Sequence, residues 1–259
     1  MLELLVKRNM EAIPLLEFDQ DKEAIIRPEK RKRLPKFCIL LMFNSVINKL
    51  TLDGHLEKVD EYPTPFVTIN VYQVAYKGNS VVVIHPGIGA PLVVGTFELL
   101  IAQGCTKFVA CGAAGVLDPE LQIGNVIIPS IALGDEGTSY HYCPPSRTIE
   151  INLTVVKKLE AVLLKHDINY TIGKTWTTDA FFRETRTKVA NRKREGCLTV
   201  EMECSALIAA AKFHSVSFGQ YLAASDDVSG SNWNPRSIGD RFVFRERLFW
   251  LSIEACLEL

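Results

Sequence analysis

Four acidic residues hold the clearest prospect of chemistry in this chain. Glu201 and Glu203 stand in V-E-M-E-C-S-A-L, between an apolar strand-like run and an alanine-rich helix-like one. Two carboxylates so placed serve either as charges that favour a helix N-terminus or as acceptors for the hydroxyl groups of a sugar. Asp226 and Asp227 follow directly on an apolar run in Y-L-A-A-S-D-D-V-S-G, at the strand end where α/β proteins expose their chemistry. Burial at such an edge raises a carboxyl pKa and makes the group a proton donor; the competing reading is a side chain that caps a turn. A third segment, W-T-T-D-A-F-F-R-E-T-R from Trp176 to Arg186, mixes aromatic faces with charge, which suits stacking on a flat ring or lining the edge of a core.

Glycines mark where such groups would be gathered. V-V-V-I-H-P-G-I-G-A-P-L begins at Val81 and K-F-V-A-C-G-A-A-G-V begins at Lys107, each a β-branched run ending in glycines. Glycine lets a backbone turn tightly and approach a ligand where a Cβ would clash. Between the two runs Val93, Phe97, Leu100 and Ile101 recur at helical spacing, so the segment reads strand, helix, strand, the parallel crossover of an α/β protein. Further strands are expected at Phe37 to Phe43, Thr68 to Ala75, Ser80 to His85, Lys107 to Cys111, Asn125 to Pro129, Tyr170 to Thr175 and Phe218 to Ala224. Helices are expected at Leu153 to His166, Ser205 to Phe213 and Asp240 to Leu257, the last with Phe244, Leu248, Leu251 and Ala255 on one face. This order predicts one α/β domain with a central twisted mixed sheet, partly closed, and helices outside.

Composition agrees with that architecture. The chain has 259 residues and 47% apolar content, enough for a large core, and no Pro/Gly/Ser-rich linker, internal repeat or low-complexity tract divides it. We expect a charged N-terminal extension over 1–36 and a domain over 37–259. Arg27, Lys30, Arg31, Lys32, Arg33 and Lys36 crowd the end of the extension and read as a solvated or subunit-contact surface, with an anion site as the alternative. A net charge of −1 gives no general argument for nucleic acid or an anionic membrane, and no apolar run reaches the length of about 18 residues that spans a bilayer. The first residues carry acids and lack a long apolar core, unlike a signal peptide. Seven scattered cysteines without C-x-x-C spacing suggest reduced thiols rather than a disulfide frame or a zinc site, and with them a cytoplasmic protein without a metal.

The ordered strings G-I-G-A-P, G-A-A-G-V with I-G-N-V-I-I-P, D-E-G-T-S-Y-H-Y, T-T-D-A-F-F, V-E-M-E-C-S-A and A-S-D-D together resemble the purine-nucleoside and uridine phosphorylase superfamily, which also contains the methylthioadenosine/S-adenosylhomocysteine nucleosidases. The resemblance runs from about residue 37 to the C-terminus. It implies a single α/β domain with a distorted, partly barrel-like sheet, no metal or organic cofactor, and assembly as a homo-oligomer, either a dimer or a hexamer built from dimers. It implies that Glu203 grips the ribose hydroxyls with Met202 packed on the sugar, that Phe181 stacks on or edges the base, and that the backbone of Gly112, Ala113 and Ala114 lies beside C1′. It implies that Asp226 protonates or hydrogen-bonds purine N7, with Arg236 of W-N-P-R steering the proton. Uridine phosphorylases use a Gln and an Arg in the segment matching Phe181 to Arg186; here F-F-R-E-T-R has no glutamine, which favours a purine.

The chain departs from this pattern at the nucleophile. Members that use inorganic phosphate bind it through a P-G-D-P-x-R loop after the first strand, an arginine, and a hydroxyl. This chain has Phe43 and Asn44 in the loop, Ala110 at the arginine and Ala113 at the hydroxyl. The nucleosidases' water-activating glutamate after the first strand is missing from M-F-N-S-V-I-N as well. His85, Asn44, Arg183, Arg186 or the N-terminal basic cluster are the available replacements. Three functions follow: a phosphorylase-like enzyme cleaving the N-glycosidic bond of a purine nucleoside with phosphate, a nucleosidase using water, or a nucleoside-binding protein without turnover. Retention of both Glu203 and Asp226 argues against the last, because binding alone needs no acid at the base.

Overall fold

The five residues Phe37–Leu41 (β1) are all buried, as a strand must be when it lies in the middle of a sheet covered on both faces. The computed structural model describes residues 13–29, 31–64, 67–236 and 241–259. After β1 the chain runs through α1 (Asn44–Leu52), β2 (Glu57–Pro63), β3 (Thr68–Tyr76), β4 (Asn79–Ile84), α2 (Ala90–Ala102), β5 (Lys107–Val116), β6 (Val126–Asp135) and β7 (Thr148–Glu150). It continues with α3 (Leu153–Lys165), β8 (Tyr170–Thr178), α4 (Arg186–Arg194), β9 (Cys197–Glu201), α5 (Cys204–Phe213), β10 (Ser217–Asp227) and α6 (Arg241–Glu258). The result is a single α/β domain built on one mixed sheet, as expected.

The sheet is half open wing and half closed ring. β1 lies parallel to β4 and β5, and β3 and β2 extend the wing antiparallel. On the other side β5 pairs with β10, β10 with β6, β6 with β8, β8 with β9, and β9 returns to β5. β5 is therefore shared. Its first half pairs with β1 from Lys107 to Cys111, and where β1 ends, Gly115 and Val116 take up Val200 and Thr199 of β9. The strand runs to Val116, five residues past the expected end. Gly112 and Gly115 thus serve close packing inside a strand and not a turn. A Cβ on Gly112 would stand 2.8 Å from the Met42 sulfur, and one on Gly115 would stand 3.1 Å from a Val200 methyl. The turn reading holds for Gly87 and Gly89, whose φ angles of +95° and +91° lie in the left-handed region that favours glycine.

Elements with weak apolar periodicity emerge only in the structure. β1 stops at Leu41, two residues before the expected end, because Phe43 caps α1. α4 buries Val189 alone, and its basic residues hold it in place: Lys188 Nζ and Arg192 Nη2 each donate to Asp135 Oδ2 at 3.1 Å. β10 is longer than expected and carries Asp226 and Asp227 as its last residues. α6 is described from Arg241, so the expected start at Asp240 lies outside the described residues, as do Lys30 and residues 1–12. Of the basic cluster, Arg31 donates to the Glu61 carbonyl at 3.0 Å and lies over the Tyr62 ring, while Leu34 is buried against the domain. All seven cysteines are free thiols, and among the described residues no helix is long and apolar enough to cross a membrane.

Candidate active site

At the carboxyl ends of β5, β9 and β10 a cavity of about 770 Å³ opens, within the size range of small-ligand pockets. β9 ends at Glu201 and α5 starts at Cys204, so the V-E-M-E turn delivers two carboxyls to its wall. They divide the alternatives between them. Glu201 accepts the amides of Glu203 (2.8 Å) and Cys204 (2.7 Å) on Oε2 and the Thr177 hydroxyl (2.6 Å) on Oε1, which is the work of a charge at a helix N-terminus. Glu203 instead reaches across to the glycine turn, where its Oε1 accepts the Gly89 N–H at 2.6 Å. Both are only 6% exposed. Burial, with the charge of Glu203 added, pushes the Glu201 carboxyl up from its ordinary range; burial pushes Glu203 up too, against the hydrogen bonds it takes from backbone amides.

β10 supplies the opposite wall. Asp226 faces the cavity, and Trp233 Nε1 donates to its Oδ2 at 2.6 Å. Arg236 is not its partner: Arg236 Nη2 meets Asp227 Oδ2 at 2.9 Å, and Nη1 donates to the Leu121 carbonyl at 2.6 Å. The expected Asp226–Arg236 pairing is thereby corrected. The S-D-D turn splits its two acids, one toward the cavity and one toward a half-buried guanidinium, because successive residues of an extended strand point to opposite sides. Burial alone would raise Asp227, but hydrogen bonds from Ser229 and the Arg236 guanidinium hold it below the ordinary value.

Between these walls, a short 3-10 turn at Phe181–Arg183 presents the aromatic edge. Phe181 and Phe182 both line the cavity with ring centroids 4.1 Å apart. Glu184, next in the chain, lines it as well, and burial together with the charge of Asp226 pushes its carboxyl up to about 7. Met202 and Ala113 border the space; Gly112 lies under Met42, and Ala114 is buried behind the wall. Of the replacements considered for the nucleophile end, Asn44 lines the cavity and His85 lines a neighbouring one. Arg183 and Arg186 line neither, and Arg186 Nε donates to the Ser231 carbonyl at 3.2 Å. Trp233, Glu184 and Arg245 of α6 also line the cavity, and sequence reasoning missed all three. W-N-P-R signalled only that a polar turn follows β10.

A half-open, half-ringed α/β sheet with acids converging on a pocket at its strand ends defines a small-molecule enzyme class. Residues 46–242 match the Phosphorylase superfamily, and the chain belongs to that family. It is 33% identical over 111 residues to the uridine phosphorylase of Thermococcus kodakarensis, covering 41% of this chain and 39% of that protein. It is 23% identical over 162 residues to the guanosine phosphorylase of Halorubrum lacusprofundi, covering 62% of this chain and 67% of that protein. The chain spans less than two thirds of the first curated relatives it matches: 39% of the Thermococcus protein and 63% of a protein of Acanthamoeba polyphaga mimivirus. The fold superimposes on purine nucleoside phosphorylase of Toxoplasma gondii, in complex with immucillin-H, with a TM-score of 0.75 at 18% identity, covering 92% of this chain and 99% of that one. Uridine phosphorylase of Vibrio fischeri gives a TM-score of 0.73 at 18% identity, covering 92% and 100%.

Proposed function

We propose that the protein cleaves the N-glycosidic bond of a purine nucleoside and passes the sugar to inorganic phosphate. The observation that carries this reading is the placement of Glu203 and Asp226 on opposite walls of one cavity of nucleoside size, with the Phe181 and Phe182 rings beside them. Glu203 accepts the ribose 2′- and 3′-hydroxyls while the Gly89 amide keeps its carboxylate aimed. The base lies along the aromatic edge with N7 toward Asp226. As the C1′–N9 bond breaks, its electron pair moves into the base and the Asp226 proton goes to N7. A phosphate oxygen then bonds to C1′ of the oxocarbenium-like sugar, giving the free base and a sugar 1-phosphate.

Relatives whose names read uridine phosphorylase and guanosine phosphorylase leave the base open, so the purine assignment stands on Asp226 and on the lack of glutamine in F-F-R-E-T-R. Hydrolysis is the second reading, favoured by Ala110 and Ala113, which offer neither charge nor hydroxyl. Base release from a panel of purine and pyrimidine nucleosides, with and without phosphate, separates the two. Ribose 1-phosphate formed only with phosphate supports phosphorolysis; free ribose formed without it would replace the reading with hydrolysis. Release from uridine alone would overturn the purine assignment. We further read the protein as a cytoplasmic homo-oligomer, which light scattering on the purified chain checks: a monomer at working concentration would overturn the second half of that statement.

A further inference from the structure

The cavity lacks the cation that its proposed chemistry needs at the expected position, yet one stands elsewhere in its wall. Arg245, in the second turn of α6, lines the cavity between Ala113 and the start of α1. It also lines a smaller adjoining space of about 110 Å³ together with Ala113, Ser225 and Arg241. Its guanidinium carbon lies 4.9 Å from the Phe43 ring centroid, so the plane of the side chain is positioned by an aromatic face. Every other arginine bordering this region is committed. Arg236 holds Asp227, and Arg241 donates to the carbonyls of Pro235 and Arg236. Among the described residues Arg245 meets no carboxylate within ion-pairing distance.

Its surroundings are short of negative charge on this side. The cavity's acids, Glu184, Glu201, Glu203 and Asp226, arrive from the β8–α4, β9 and β10 strand ends, and none of them pairs with Arg245. The first turn of α1, across from Arg245, contains no acid, and its capping residue Phe43 provides no side-chain acceptor. Asn44 and Ser45 of that turn line the cavity and add polar groups. Burial and the nearby charge of Arg241 both push the Arg245 guanidinium below its ordinary range, as expected of a cation that lacks a counter-ion.

We propose that Arg245 is the residue that binds inorganic phosphate, replacing from the C-terminal helix the cation lost at Ala110 and the hydroxyl lost at Ala113. The assignment rests on the phosphorolysis reading, but it is tested separately. A planar guanidinium gives two parallel donors to a tetrahedral oxyanion, and the Phe43 face leaves those N–H groups free for it. The anion then sits beside Ala113 and the Asn44–Ser45 turn, which border the same cavity as the proposed sugar site.

The experiment is calorimetric titration of inorganic phosphate into the wild-type protein and into Arg245→Gln and Arg245→Lys, paired with product analysis of base release at varied phosphate. Arg245→Gln should weaken phosphate binding and raise the phosphate KM by about tenfold or more, with nucleoside binding in the absence of phosphate changed less than about twofold, and Arg245→Lys should recover part of the loss. Thermal unfolding of both variants controls for folding, and the lysine variant keeps the apolar stem if the glutamine variant is unstable. Phosphate affinity within twofold of wild type in the glutamine variant would overturn the assignment, as would a wild-type protein that binds no phosphate. Phosphate-independent release of free ribose would instead overturn phosphorolysis, and Arg245 would still be confirmed as an anion site if phosphate binding depended on it.

Discussion

Glu203 is held by the Gly89 amide and is itself almost fully buried, so on the proposed reading its loss leaves the sugar hydroxyls without an acceptor. Glu203→Ala should reduce kcat/KM by an amount equivalent to about 2–4 kcal/mol of transition-state binding, measured by steady-state kinetics on a variant shown to be folded. Normal kinetics would reduce Glu203 to a structural acceptor for the Gly89 amide. Asp226→Asn keeps the shape and the Trp233 contact but removes the transferable proton, so turnover of purine nucleosides should fall about 10²-fold, with a smaller loss for substrates whose base leaves readily. Glu184 adds a pH dependence. It lines the same cavity as Asp226, and burial with the Asp226 charge raises it to about 7, so it holds its own proton up to near neutrality. Above that pH Glu184 is ionised and adds negative charge to the cavity wall, so kcat/KM should decline on an alkaline limb near pH 7. In Glu184→Gln that limb should disappear, because the group that titrates there is gone; an unchanged profile would mean that Glu184 does not set it. Glu203 and Asp226 were legible as acids at strand ends next to small or apolar residues. The Arg236 pairing was misread because sequence spacing cannot say which of two adjacent acids a following turn will face. Trp233, Glu184 and Arg245 were illegible for a related reason: each reaches the cavity from a turn or helix whose position is fixed by tertiary packing.

At the scale of elements, α6 holds Arg245 where it stands, and one buried acid on the helix ties it down. Glu254 accepts from Lys165 Nζ at 2.5 Å and Lys77 Nζ at 3.3 Å and contacts His166 Nε2 at 3.2 Å, joining α6 to the end of α3 and to the β3–β4 turn. The hydrogen bond from Lys165, with those from His166 and Lys77, outweighs burial and lowers the Glu254 carboxyl to about 2. Glu254→Gln should cost about 2 kcal/mol at pH 7, read from denaturant unfolding, and the difference from wild type should vanish as the pH falls toward 2. A penalty that persisted at low pH would mean packing and not charge. The strands with β-branched or alternating apolar residues, β1, β3, β4 and β10, were readable within a few residues. β5 was cut short because G-A-A-G looks like a strand end, and only the close approach of Met42 and Val200 explains why small residues continue it. α4 escaped notice because its stability comes from Asp135 and not from an apolar stripe.

For the whole molecule, opposed titrations shape stability, and Glu254 and Glu184 show one of each kind. Glu254, lowered to about 2, contributes stability that is complete above the ordinary carboxylate range and is lost as the pH falls through 2. Glu184, raised to about 7, binds its proton more tightly folded than unfolded, so its ionisation erodes stability as the pH rises from about 4.5 through 7. The melting temperature of the ligand-free protein should therefore be higher near pH 5 than near pH 8, and Glu184→Gln should flatten that decline. A melting temperature that rose between those pH values would contradict the assignment. The single-domain architecture was legible from the alternation of strands and helices. The division of the sheet into wing and ring was suggested as partial closure, but its seam along β5 depends on pairings between residues more than a hundred positions apart.

That seam has a consequence for how the chain is made. β10 closes the ring against both β5 and β6, and at Ser217–Asp227 it comes well after both of them in chain order. During synthesis the wing strands β1 to β4 and the first half of β5 can assemble on partners already emerged, while the far flank of β5 stays unpaired until the last strand leaves the ribosome. The nascent chain thus carries an exposed strand edge while the segment from β6 to α5 is being translated, the kind of surface that chaperones hold and that aggregates when release is slow. Ribosome-bound chains halted before Ser217 should be digested readily by protease at β5, whereas chains extended past Asp227 and α6 should resist, with protection appearing in one step when the ring shuts.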